Sequence, residues 1–189
     1  MKRSMETLLS ALLALLLCGC AREPARADAA EATPFPAAQG LRVAVGSDLH
    51  LDPDNRVNGA ALSAAGYNLE LADALLWDAR QQGAALIVLT GDLVNGGKPH
   101  RHEALAEKLS EAEKTGLDVY VLPGNHDLAP IGQTEFAEYY ADFGYTEAYS
   151  RDEASLSYCV LRDDLTLLMM DLGGFPFFVV SLLLKYHKF

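Results

Sequence analysis

The sequence predicts an α/β domain built around a parallel sheet, and three observations carry that expectation. Short apolar runs alternate with helical patterns from residue 41 to residue 143. Two of the three helical patterns close at a glycine, Gly83 and Gly116. Each of the first three apolar runs passes directly into a cluster of Asp, His, Asn or Gly.

Leu41–Gly46 is short and valine-rich, as a buried strand is. Asp52 to Gly66 is dense in Asp, Asn, Pro and Gly and reads as a loop. Tyr67–Gln82 places Leu69, Ala72, Leu75, Leu76 and Ala79 at helical offsets. Ala84–Leu89 is the second strand, His102–Lys114 the second helix, Asp118–Leu122 the third strand and Thr134–Phe143 an aromatic-rich third helix. This βαβαβ order requires crossover connections and therefore parallel strands. Beyond it, Ser155–Leu161 and Leu165–Asp171 flank an Arg162-Asp163-Asp164 turn and predict a hairpin.

The 189 residues are 50% hydrophobic, enough for one globular domain with a core. The formal net charge of −11 is a poor match to nucleic acid or anionic lipid, so specific nucleic-acid binding is not expected. Of three cysteines, Cys18 and Cys20 lie in the N-terminal apolar segment, and Cys159 is expected to be buried packing. No disulfide framework or zinc knuckle follows from that set.

Lys2-Arg3, the apolar stretch Leu8–Leu17 and Cys18-Gly19-Cys20 have the form of an export signal. The stretch is short for a membrane span, which needs roughly 20 apolar residues. Leu17-Cys18-Gly19-Cys20 resembles a bacterial lipobox, with Cys20 as the lipidated residue. Residues 21–40, rich in Ala and Pro, read as a flexible tether. The expected organisation is a lipoprotein signal over 1–19, a tether over 20–40, a folded domain over 41–172 and an atypical apolar tail over 173–189. The expected location is extracytoplasmic and membrane-anchored through lipid, with plain secretion as the second choice.

The three polar clusters are Ser47-Asp48-Leu49-His50, Thr90-Gly91-Asp92 and Pro123-Gly124-Asn125-His126-Asp127. In open parallel sheets ligands bind at the carboxyl ends of the strands, so all three should converge on one crevice. Asp, His and Asn offer oxygen and nitrogen donors that suit Mn, Fe or Zn. Asp48 and His50, read as alternate residues of an extended segment, should point the same way. Asp92 is placed to bridge two ions. His100 and His102 share the one-residue spacing but lie near a helix start, and are expected to be exposed capping residues. Tyr139, Tyr140, Phe143 and Tyr145 are expected to be core.

The set D-x-H, G-D and G-N-H-D resembles the calcineurin-like metallophosphoesterase superfamily over roughly residues 41–172. The resemblance implies that this chain is the βαβαβ half of a two-sheet sandwich. It implies two divalent ions of the Mn, Fe or Zn class: Asp48 and His50 on one, Asp92 as the bridge, Asn125 on the second. It implies that His126 touches the substrate phosphate and assists the leaving group. The reaction implied is hydrolysis of a phosphomonoester or phosphodiester by a metal-bound hydroxide, with the two ions about 3.5–4 Å apart. In phosphatase members an acidic residue supports the catalytic histidine where this chain has Asn95.

The superfamily also has a later strand histidine and a G-H-x-H motif, and this sequence has neither. His187 is the one histidine after Gly174. Truncation, with an impaired second metal site, is therefore expected. The alternative is an inactive remnant or a lipid-tethered, non-enzymatic binding module.

Overall fold

A computed structural model describes residues 40–54, 67–163 and 165–171, together with the backbone of 179–184. The export signal, Cys20 and nearly all of the tether lie outside the described residues, as do most of the loop between the first strand and first helix and most of the apolar tail. No described helix is long and apolar enough to cross a membrane.

The first sheet is parallel, in the order β1 (Val43–Gly46), β2 (Leu86–Thr90), β3 (Asp118–Leu122). Its register pairs Val43 with Leu86 and Leu86 with Asp118. The central strand β2 buries Leu86, Ile87, Val88 and Leu89 completely, which explains its uninterrupted apolar run. β1, read from sequence as buried, has only β2 beside it among the described strands. It is half-buried, and Val45 is 59% exposed.

The crossovers are α1 (Asn68–Gln81) and α2 (Pro99–Lys114). α1 buries Ala72, Leu76 and Ala79 of the stripe expected from its periodicity, with Leu69 and Leu75 half-buried. α2 begins three residues before the expected start, because Pro99 occupies the first turn, where a missing N–H costs nothing. Its inner face carries Leu105, Leu109 and Ala112, and also Arg101 and His102. α3 (Gly132–Tyr139) ends earlier than expected. The chain then makes an irregular turn at Ala141–Tyr145 that buries Phe143 and Tyr145 beside Tyr140, as core residues.

The second sheet is antiparallel: β4 (Ser150–Arg151), β5 (Tyr158–Leu161), β6 (Leu165–Met170), β7 (Val179–Leu184). The expected hairpin is β5–β6, paired from Tyr158↔Met169 to Leu161↔Thr166. β7 pairs along all of β6, from Met170↔Val179 to Leu165↔Leu184. Alternate residues Leu165, Leu167 and Met169 of β6 are fully buried, so one face of this sheet is core. The Tyr158 hydroxyl donates to the Val121 carbonyl at 2.9 Å, tying β5 to the end of β3. Arg162 reaches Asp118 and the Tyr120 hydroxyl from the β5–β6 turn. Cys159, expected to be buried, is half-buried and unpaired.

Candidate metal centre

Past the ends of β1 and β2 the two chains stay side by side. The N–H groups of Asp48, His50 and Leu51 donate to the carbonyls of Gly91, Asp92 and Leu93 at 2.9–3.0 Å. The Asn95 N–H returns to the Leu51 carbonyl at 3.1 Å. Within this paired loop Asp48, His50 and Asp92 have φ of 58°, 43° and 48°. Left-handed backbone at a non-glycine residue costs on the order of 1–3 kcal/mol and survives only where surrounding contacts impose it. Three such residues stand on two adjoining loops.

The expectation that Asp48 and His50 alternate along an extended segment is corrected here, because both residues are left-handed. Their side chains still converge, with His50 Nε2 at 3.7 Å from an Asp48 oxygen. His50 Nε2 is also 3.9 Å from Asp92 Oδ2. His126 arrives from the end of β3, its ring edge-on to His50 with centroids 4.9 Å apart. One donor atom from each of His50, Asp92 and His126 lies within 4.8 Å of the others. Asp92 is mostly buried while Asp48, at the rim, is 65% exposed in its side chain. Asn125 is exposed next to His126.

Two imidazoles and a carboxylate with donor atoms within 4.8 Å of one another, and a second carboxylate beside them, fit a borderline divalent cation. His50 and Asp92 could hold such an ion, with Asp48 close to His50 and His126 bordering the same point.

The loops carrying these groups are locked by Asp127. Its side chain is fully buried and accepts three backbone N–H groups: Leu93 at 3.1 Å, Val94 at 2.9 Å and Gly124 at 2.6 Å. Burial pushes its carboxyl above the ordinary range, and the three N–H donors oppose that shift. The Asp92 carboxylate is fixed in turn by the His126 N–H at 3.0 Å. His50 is held from behind by Asn68, whose side-chain amide donates to the His50 carbonyl at 3.1 Å.

Next to the cluster a polar group ties the 52–54 turn to the start of α2. Arg101 Nη2 pairs with the buried Asp52 at 2.9 Å and with Asp54 at 3.2 Å. The Asn95 amide donates to Asp52 at 3.1 Å, so Asn95 serves this tie. His100, 2.9 Å from Asp54, is partly exposed as expected. His100 and Arg101, through their hydrogen bonds, hold the Asp54 carboxyl below its usual range.

His102 was expected to be an exposed cap and is instead completely buried. Its place on the stripe 102, 105, 109, 112 is the signal that predicts burial. Burial lowers its pKa to about 4 from an ordinary value of 6.5, against a smaller opposing effect from its bond to the Asp127 carbonyl. The folded protein therefore binds its proton less readily than the unfolded chain. The stabilisation is fully present above pH 6.5, falls as pH drops towards 4, and levels off below that. The loss attributable to this group should reach about 3 kcal/mol. Urea midpoints measured across that window should show it as a difference between the unaltered protein and His102→Gln.

Of the residues singled out in the sequence, His50, Asp92 and His126 come together, with Asp48 adjacent and Asn125 alongside. Asp52, Asn68, Arg101 and the partners that Asp127 anchors were not anticipated, since each acts through a residue at least three and up to 49 positions away. A buried polar residue at the first position of a helix, as at Asn68, leaves no local pattern to read.

No curated protein matches the chain. The family model for calcineurin-like phosphoesterases matches residues 41–182, three quarters of the sequence, from just before β1 into β7. The match spans all three strand ends that carry the cluster. The chain belongs to the calcineurin-like phosphoesterase family.

Proposed function

We propose that this protein is a metal-dependent phosphoesterase acting on a phosphomonoester or phosphodiester outside the cytoplasm, tethered to membrane through lipid on Cys20. The observation that supports the chemistry is the convergence of His50, Asp92 and His126 from three strand ends within 4.8 Å. Asp48 and His50 would hold one ion of the Mn, Fe or Zn class, Asp92 would bridge, and Asn125 would face a second. Bound ions supply Lewis acidity, drawing charge from the phosphoryl oxygens and acidifying neighbouring water.

The chain's own residues supply position and proton transfer. In hydrolysis a water oxygen bonds to phosphorus and releases one proton to solvent, the ester P–O bond breaks, and the departing oxygen takes a proton. His126, exposed at the rim, would touch the phosphate and assist the departing oxygen. The His126 N–H bond to Asp92 keeps the base of this side chain in register with the ligand carboxylate.

Hydrolysis of bis(p-nitrophenyl) phosphate with Mn²⁺ tests the reading. The expected result is turnover that chelation removes and that Asp92→Ala lowers at least about 10³-fold, as for loss of a group acting on developing charge. Turnover indifferent to both treatments would sink it.

A second reading, a non-enzymatic tethered module, is favoured by one observation. Among the described residues, His50, Asp92 and His126 form the one group placed closely enough to hold an ion. Metal content of the purified chain separates the two. Two tightly held ions support the enzyme; none supports the module.

A further inference from the structure

Behind the ligand cluster lies a buried polar chain that the proposed chemistry does not use. His102 is fully enclosed on the inner face of α2. Its Nε2 is 3.0 Å from the Asp127 carbonyl and its Nδ1 is 2.9 Å from the Tyr140 hydroxyl. A carbonyl can only accept, so Nε2 carries the hydrogen. Nδ1 is then the acceptor, and Tyr140 must donate to it. The chain therefore has one direction, from Tyr140 through His102 to Asp127. Burial keeps both members neutral at ordinary pH, holding the imidazole low and raising the Tyr140 hydroxyl well above its usual value. The Tyr139 ring stacks on the imidazole at 5.4 Å, nearly parallel, and Phe136 and Tyr140 meet it edge-on. These contacts leave the ring one orientation.

What the ring holds is Asp127, the residue after His126. From one side the Asp127 carboxyl grips three N–H groups of the two ligand loops. From the other, its carbonyl takes the His102 N–H. Gly97 closes on the same carbonyl so tightly that a Cβ there would lie 1.9 Å from the oxygen. A leucine or phenylalanine would fill this space without the cost of burying an imidazole. The imidazole offers a donor and an acceptor at opposite ends of one rigid ring.

We infer that His102 is a positioning residue for the metal centre: by fixing the Asp127 carbonyl it sets where His126 stands relative to His50 and Asp92. The inference rests on the metal-centre reading above. Groups one layer behind metal ligands commonly change affinity about 10–100-fold when removed, and His102 acts at that remove through the backbone.

The test is binding of Co²⁺ and Mn²⁺ to the full chain, by visible absorption for Co²⁺ and calorimetry for Mn²⁺. The variants are His102→Leu, His102→Gln and Tyr140→Phe, each checked for folding by thermal melting. His102→Leu is expected to bind about tenfold more weakly, with an altered Co²⁺ spectrum. His102→Gln places an amide N–H where the imidazole Nε2 stood, and should restore affinity to within about threefold and return the spectrum. Leucine and glutamine variants that bind alike, whether both as the unaltered chain or both equally weakened, would overturn the inference, since mere filling of the core would then account for His102. Should His102→Leu not fold, Tyr140→Phe decides: an unchanged Co²⁺ spectrum counts against the inference and a shifted one supports it. Failure of the unaltered chain to bind either ion removes the metal-centre reading and this inference with it, whereas normal binding by a folded His102→Leu removes this inference alone.

Discussion

Asp127→Ala is expected to lower stability by at least about 3 kcal/mol, because it strands three buried backbone donors at once. The N–H groups of Leu93, Val94 and Gly124 all end on this one carboxyl. Leu93, Val94 and Gly124 are themselves buried, so water cannot take over the bonds without opening both loops. Each orphaned donor costs about 1–3 kcal/mol, far more than the net gain of a typical hydrogen bond. Asp127→Asn should be milder. Its single carbonyl oxygen can serve the Leu93 and Gly124 donors together, leaving Val94 facing an NH₂ group. A urea titration of the three proteins should rank them wild type, Asn, Ala. An alanine variant within about 1 kcal/mol of wild type would show that the carboxyl is not the anchor of these loops.

Gly124→Ala should damage stability and metal binding together. A Cβ at this position would stand 2.1 Å from Asp92 Oδ1 and 2.2 Å from the Asp92 backbone nitrogen. A side chain can swing aside, but the backbone nitrogen cannot, so the two loops must part. Overpacking against backbone should cost about 3 kcal/mol. Asp92 leaves its place in the process, and Mn²⁺ affinity should fall at least about tenfold. Gly116→Ala is the natural control. Nothing lies within 4 Å of its Cβ position, and its φ of +89° makes the change one of backbone strain alone. It should cost about 1 kcal/mol and leave metal affinity untouched. Urea midpoints and calorimetry on both variants separate collision at the site from strain elsewhere.

Much of the architecture is legible in residue order. The runs at 84–89 and 118–122 are buried strands because their flanking crossovers leave no polar face to satisfy, and β2 is buried at every apolar position. Helix boundaries were least legible where capping decided them: Pro99 extends α2 towards its N-terminus, and the aromatic turn at Ala141–Tyr145 ends α3 early. The edge position of β1 among the described strands could not be read from Val43–Gly46, since a strand's own residues do not say how many neighbours it has.

The feature that the sequence determined by itself is which polar residues stand at the strand ends. Asp48, His50, Asp92, Asn125 and His126 each follow an apolar run directly, and parallel strands deliver such residues to one edge of a sheet. The tertiary structure alone decided how they meet. Asp48, His50 and Asp92 adopt left-handed backbone imposed by the paired loops after β1 and β2. His102, separated from Asp127 by 25 positions, holds the histidine turn from within the core rather than capping a helix at the surface. Local sequence encodes which groups reach the strand ends because periodicity and chain direction are local properties. Their mutual distances depend on hydrogen bonds between segments far apart in the chain, and only packing brings those segments within reach.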